Sequence, residues 1–163
     1  QFWTTCNKTI FDADNVLANA PNLTDKNYAS GLIAYDNIFK ALSIADMAQF
    51  WEKVPAGIGA NITFIDRVDR FKKAITLLDA GLAAIAANPI SASFTANVPA
   101  GINVQNTLNA LKARYSLYAG LYPQALAAAG LVTLATKSRS RTTADADRSP
   151  KSPTRRLYFS PYP

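Results

Sequence analysis

The chain has 163 residues, 49% hydrophobic and 17% charged, with 17 Lys/Arg against 11 Asp/Glu and a formal net charge of +6. That length and apolar share suit one domain with a buried core. The absence of histidine and the single cysteine, Cys6, exclude from this chain Ser-His-Asp or Cys-His catalysis, histidine-bound metal, a Cys-rich zinc site and an internal disulfide.

Gln1-Phe-Trp-Thr-Thr carries neither an initiator Met nor the basic and apolar regions of a signal peptide, so the chain is expected to be a mature or internal piece of a longer protein. No run of about 18 uncharged apolar residues suggests a membrane-spanning helix. Trp3, Cys6, Ile10, Ala13 and Leu17 recur at steps of three and four, which predicts a helix that stops before Pro21. Cys6 falls on that stripe and lacks the small and aliphatic neighbours of a lipidation site, so it reads as core. Asp25 is placed to cap a second helix marked by Tyr28, Leu32, Tyr35, Phe39 and Leu42. Ser43 followed by Asp46 has the form of a capping box, predicting a short restarted helix with Met47, Phe50 and Trp51 that ends at Val54-Pro55-Ala-Gly57.

Phe64, Ile65, Val68, Phe71, Ile75, Leu78, Leu82 and Ile85 mark the clearest stripe, starting at Thr63 with Asp66 and stopping at Asn88-Pro89. Asp66, Arg67, Asp69, Arg70, Lys72 and Lys73 lie off it, on a face expected to be solvated and ion-paired. The alanines at 80, 83, 84, 86 and 87 favour close packing in a helical bundle over a coiled coil. Residues 88–103 carry two prolines and a glycine and read as a long loop. Leu108, Leu111, Tyr115 and Tyr118 mark a further helix ending at Gly120, and Pro123 opens another through Leu126, Ala129 and Val132. Gly120, Tyr122 and Ala125 match the turn of tetratricopeptide helix pairs, with Tyr122 expected over the turn, while Gly130 departs from the pattern.

The charge is uneven. Residues 1–136 hold 10 Lys/Arg against 9 Asp/Glu, and residues 137–163 hold 7 against 2. In that tail 12 of 27 residues are Ser, Thr or Pro, too little apolar text to offset its ordering entropy. It reads either as a basic segment for nucleic acid or anionic surfaces or as a non-native end. The abrupt change at Lys137 leads us to expect that it is not the continuation this fold evolved with, leaving Leu126, Val132 and Leu134 uncovered. The domain division is then 1–136, helical, and 137–163, disordered or non-native.

Three stretches together resemble the SusD/RagB family of outer-membrane nutrient-binding lipoproteins of Bacteroidetes. They are Ile10-Phe-Asp-Ala-Asp-Asn-Val-Leu-Ala-Asn-Ala-Pro21, the helix from Phe64 to Asn88 with its Leu77-Leu-Asp-Ala80 end, and Asn106 to Leu126 with Ala113-Arg-Tyr-Ser-Leu-Tyr-Ala-Gly-Leu-Tyr122. The last is the most specific, and the likeness spans about residues 1–136. It implies an all-α fold of five to six helices in tetratricopeptide-like hairpins, at the cell surface. Its implied role is to capture glycans or other nutrients for a SusC-type TonB-dependent transporter. Membrane association would come through a lipid anchor absent from this chain.

Sugars are held by aromatic faces flanked by amides and carboxylates. Trp51 with Glu52, Gln49 and the loop 54–61 offers that set, although core is the alternative for Trp51; Trp3, Tyr28 and Tyr35 read as core. Glu52 is the only glutamate, with no second carboxylate beside it by helix spacing, and no phosphate-binding glycine motif appears, so neither enzymatic activity, metal nor cofactor is expected. A tetratricopeptide-like protein-interaction scaffold is the alternative, with nucleic-acid binding through the tail third and not expected.

Overall fold

The computed structural model describes residues 1–57 and 61–133, so the tail 137–163, Leu134 and the proposed domain boundary lie outside the described residues. The fold is all-α, as the stripes predict: α1 (Phe2–Asn19), α2 (Lys26–Phe50), α3 (Arg67–Ala87), α4 (Ala92–Asn97), α5 (Val104–Tyr118) and α6 (Tyr122–Gly130), with one small hairpin of β1 (Lys53–Pro55) and β2 (Phe64–Asp66). Among the described residues no helix is long and apolar enough to cross a membrane.

Pro21 stops α1 in a single 3-10 turn, and Asp25 caps α2 as expected, accepting the N–H groups of Asn27 at 3.0 Å and Tyr28 at 2.9 Å. The two helices run antiparallel, since Asp14 pairs with Lys40 and the first residues of α1 meet the last of α2. The restart at Ser43 does not occur; α2 is unbroken to Phe50. A cap needs amides without partners, and mid-helix amides are bonded already. Ser43 sits instead among Ala41, Ile44, Ala45, Met47 and Ala48, all buried against the neighbouring helices.

The stripe from Phe64 begins too early. Phe64 and Ile65 belong to β2, paired with Pro55 and Val54, and Asp66 is the N-cap of α3 itself, accepting from the Val68 N–H at 2.8 Å. α3 ends at Asn88 before Pro89, as expected. It runs antiparallel to both α2 and α5. A Cβ on Gly81 would stand 3.1 Å from Leu108 Cδ2 and 3.4 Å from Ala34 Cα, so the missing side chain lets three helices meet. The alanines expected to pack closely mostly face out: 80, 83, 86 and 87 are exposed and 84 is half-buried. Ala74, Leu78 and Gly81 carry the buried face instead, and Arg70 lies on it rather than in solvent.

The loop 88–103 contains α4, capped by Ser91, whose Oγ accepts the Phe94 N–H at 3.2 Å. Phe94 anchors this helix, buried over Gly31 and edge-on to Tyr28. α5 ends in a Schellman turn at Gly120, with φ of 74°; Leu121 N–H bonds Ser116 O at 2.8 Å and Gly120 N–H bonds Leu117 O at 3.1 Å. α6 then folds back, its end reaching Asn106 through Thr133. It stops at Gly130, short of Val132, and Tyr122 is exposed rather than packed over the turn.

Candidate binding site

α1 opens with Phe2-Trp3 and α2 closes with Phe50-Trp51. The antiparallel pairing of α1 and α2 brings these two pairs together, and they form one aromatic cluster. Phe2 stacks on Trp51 with centroids 6.1 Å apart and meets Phe50 edge-on at 5.3 Å. Trp3 meets Trp51 edge-on at 4.8 Å. These offset and edge geometries are the ones ring quadrupoles favour. Trp51 is the C-cap of α2 in extended backbone, its N–H on Met47 O at 3.0 Å, and fully buried Val54 pins the chain beyond it. The cluster is open to solvent: Trp51 is 37% and Phe50 72% exposed.

Beside the rings lies a cleft of about 670 Å³ between the first turns of α1 and the hairpin. Trp3, Thr4, Asn7 and Lys8 line one side; Pro55, Gly57, Ile62 and Phe64 line the other. Asn7 donates its amide to Trp3 O at 2.9 Å, which leaves its amide oxygen as an acceptor. Lys8 pairs with Asp12 at 2.6 Å, both exposed, a contact worth little in water and easily exchanged. Thr4 adds a hydroxyl. An apolar cleft with a few polar groups of both kinds is the usual form of a small-ligand site.

Of the residues singled out from the sequence, Trp51 is in the cluster. Gln49 is turned away: it donates to Asp46 Oδ1 at 3.0 Å and lines a separate depression with Arg67, Phe71 and Tyr118. Glu52 contributes its backbone, its carbonyl accepting the Arg67 N–H at 2.9 Å; its side chain is exposed with no hydrogen bond or ion pair among the described residues. Sequence reasoning missed the cleft-facing position of Trp3, which packs on the core and also lines the cleft. It missed Phe2, Asn7 and Phe64 as well. The signal available is one aromatic pair at the start of the first helix and another at the close of the second.

The titratable groups near this end are structural in character. The Cys6 thiol is buried and pushed up by desolvation, then by Asp46, the reverse of an activated nucleophile. Desolvation also pushes up the Asp46 carboxyl, opposed by Gln49 and Arg114. Asp69 pairs with Lys72 at 3.0 Å on an exposed face, as expected. Arg70 breaks that expectation: it is 2% exposed and its guanidinium is drawn down by desolvation.

Comparison with family models, with curated proteins and with solved structures gives no match.

Proposed function

We propose that this chain is a glycan-capturing helical module of the SusD/RagB kind, taking oligosaccharides at the outer-membrane surface for a SusC-type TonB-dependent transporter, without enzymatic activity of its own. The observation that carries the reading is the open cluster of Phe2, Trp3, Phe50 and Trp51 beside a cleft bearing Thr4, Asn7 and Lys8. Rings offer the apolar faces that pyranose C–H groups pack against, and the polar set offers donors and acceptors for hydroxyls.

Calorimetric titration with a panel of neutral oligosaccharides tests the reading. Trp51→Ala and Trp3→Ala are expected to weaken binding about thirtyfold, a hot-spot loss of about 2 kcal/mol. No binding by the wild-type chain to any member of the panel rejects the glycan reading. Loss of folding in Trp51→Ala makes that ring core.

The interaction-scaffold reading draws on a different observation, the uncovered α5–α6 face with Leu126 77% exposed. The nucleic-acid reading rests on residues outside the described part; it requires an affinity that falls steeply with salt and disappears on truncation after Thr136.

A further inference from the structure

Ala56 lies at the tip of β1, between Pro55 and Gly57, both of which line the aromatic cleft. Its N–H bonds Thr63 O at 2.8 Å, which closes the hairpin. Its carbonyl turns the other way, toward α3, where it accepts from two cations: Lys73 Nζ at 2.7 Å and Arg70 Nη1 at 3.2 Å. Neither cation forms an ion pair with a carboxylate among the described residues. Arg70 Nε, buried, has no partner among them either. Burying a guanidinium without a carboxylate is costly, so a role for its remaining bond is called for.

The hairpin supplies that role. Its strands pair over three residues each, and a two-stranded ribbon of that length is marginal alone. Charge-assisted bonds are roughly twice as strong as neutral ones, and two of them converge here on one oxygen. We propose that Arg70 and Lys73 are positioning residues, a cation clamp that holds the Pro55–Gly57 arm in place as one wall of the aromatic cleft. What the cleft takes rests on the glycan reading; the clamp does not. Desolvation draws both cations down, with Arg70 and Lys40 adding to the effect on Lys73; Arg70 is turned from water onto the carbonyl, and Lys73 reaches the same oxygen from the surface. Without the clamp, Pro55 and Gly57 lose their fixed distance from Trp3 and Asn7.

Hydrogen exchange on the full chain decides it. In Lys73→Met the peptide covering Val54–Gly57 is expected to exchange roughly tenfold faster, the equivalent of one charge-assisted bond, while α1 and α2 amides stay unchanged. Acrylamide quenching of the two tryptophans is expected to rise with it. Lys73→Arg, which keeps the charge and the donor, is expected to restore both. Arg70→Met is expected to go further, and if it fails to fold, the exposed Lys73 carries the test. Unchanged exchange and quenching in Lys73→Met, or Lys73→Arg behaving like the Met variant, overturns the clamp. In a parallel arm with maltoheptaose and xylohexaose, affinity is expected to fall in Lys73→Met and return in Lys73→Arg. Wild-type silence toward both sugars counts against the glycan reading, and the exchange data still judge the clamp.

Discussion

Two surfaces of this molecule expose apolar side chains, and they differ in kind. Where α1 meets the end of α2, the exposed groups are rings, in contact with each other and beside Thr4, Asn7 and Lys8. On α5–α6 the exposed groups include Leu117, Leu126 and Leu131 with Tyr118 and Tyr122, and residues 115–133 contain no charged side chain. A surface dominated by leucine side chains and free of charge offers area and little direction; it suits another apolar face. Rings with amides and hydroxyls offer direction, and suit a small polyhydroxylated ligand. Exposure alone would have equated the two.

The largest expected effect comes from the core that both surfaces share. Leu108 is fully buried, against Gly81 where α2, α3 and α5 meet. Leu108→Ala is expected to cost about 3 kcal/mol, within the usual 2–5 for such truncations. Phe50→Ala, in contrast, should cost less than about 1 kcal/mol because most of the ring is in water. Urea denaturation of the pair checks the contrast. Equal losses would make the aromatic end core and remove the basis for treating it as a site.

The second test separates the surfaces by partner. Leu126→Lys with Leu131→Lys places two charges on the α5–α6 face. Concentration-dependent association, read by sedimentation velocity, is expected to weaken at least tenfold, about 1.4 kcal/mol, with the aromatic site untouched. Association that persists in this variant moves the sticky surface elsewhere, the ring cluster being the next candidate.

Much of the helical layout is legible in the sequence: α1, α3 and α5 bury most of the stripes that mark them, and Asp25, Pro21, Asn88 and Gly120 act where such residues act, whereas α2 buries Ala34, Ile38, Ala41 and Ala45 with its aromatic stripe half-buried and Phe39 exposed, and α6 buries only Ala128. The misses share a cause. Ser43 and Thr63 look like cap signals in isolation, but a cap works only where amides are free, which depends on tertiary contacts the local text does not carry; Asp66, three residues on, is the residue that caps α3. Three-residue strands are too short to show an alternation, so Phe64 and Ile65 were absorbed into the helical stripe that follows. Arg70 looked solvated by type, yet its spacing to Ala74, Leu78 and Gly81 places it inside; small residues carried that phase and large ones hid it. The candidate site is half legible: Trp51 stands in the ring cluster, Gln49 points away, and Trp3 serves both the cluster and the helical stripe that masks it.

A smaller effect lies beneath the α5–α6 end. Tyr115 is fully buried, its hydroxyl has no partner among the described residues, and desolvation, then Asp46, pushes the phenol well above its ordinary range. Tyr115→Phe keeps the ring contact with Phe71 and deletes the unsatisfied hydroxyl. A gain of about 1 kcal/mol is expected by thermal and urea denaturation. A loss of similar size would show that the hydroxyl is bonded in solution.

The smallest effect separates the two helix pairs by pH. α5 and α6 contain no carboxylate, whereas the α1–α2 hairpin holds Asp36, whose Oδ2 is buried without a partner among the described residues. Desolvation pushes its carboxyl up to about 6, with Asp14 adding to the rise and Lys40 opposing it. The unfolded carboxyl titrates near 3.8. Between those values the folded state holds a proton that the unfolded state has released, so stability falls as pH rises through the window and is level above it. A full two-unit shift would be about 3 kcal/mol, and solvent screening of a half-buried group reduces that to roughly 1. Asp36→Asn removes the titration. The variant is expected to match the wild type near pH 3.5, to exceed it by about 1 kcal/mol at pH 7.5, and to show a flatter profile between. A wild-type slope retained in Asp36→Asn would assign the pH dependence to Asp46, the other carboxyl raised by burial on the same helix.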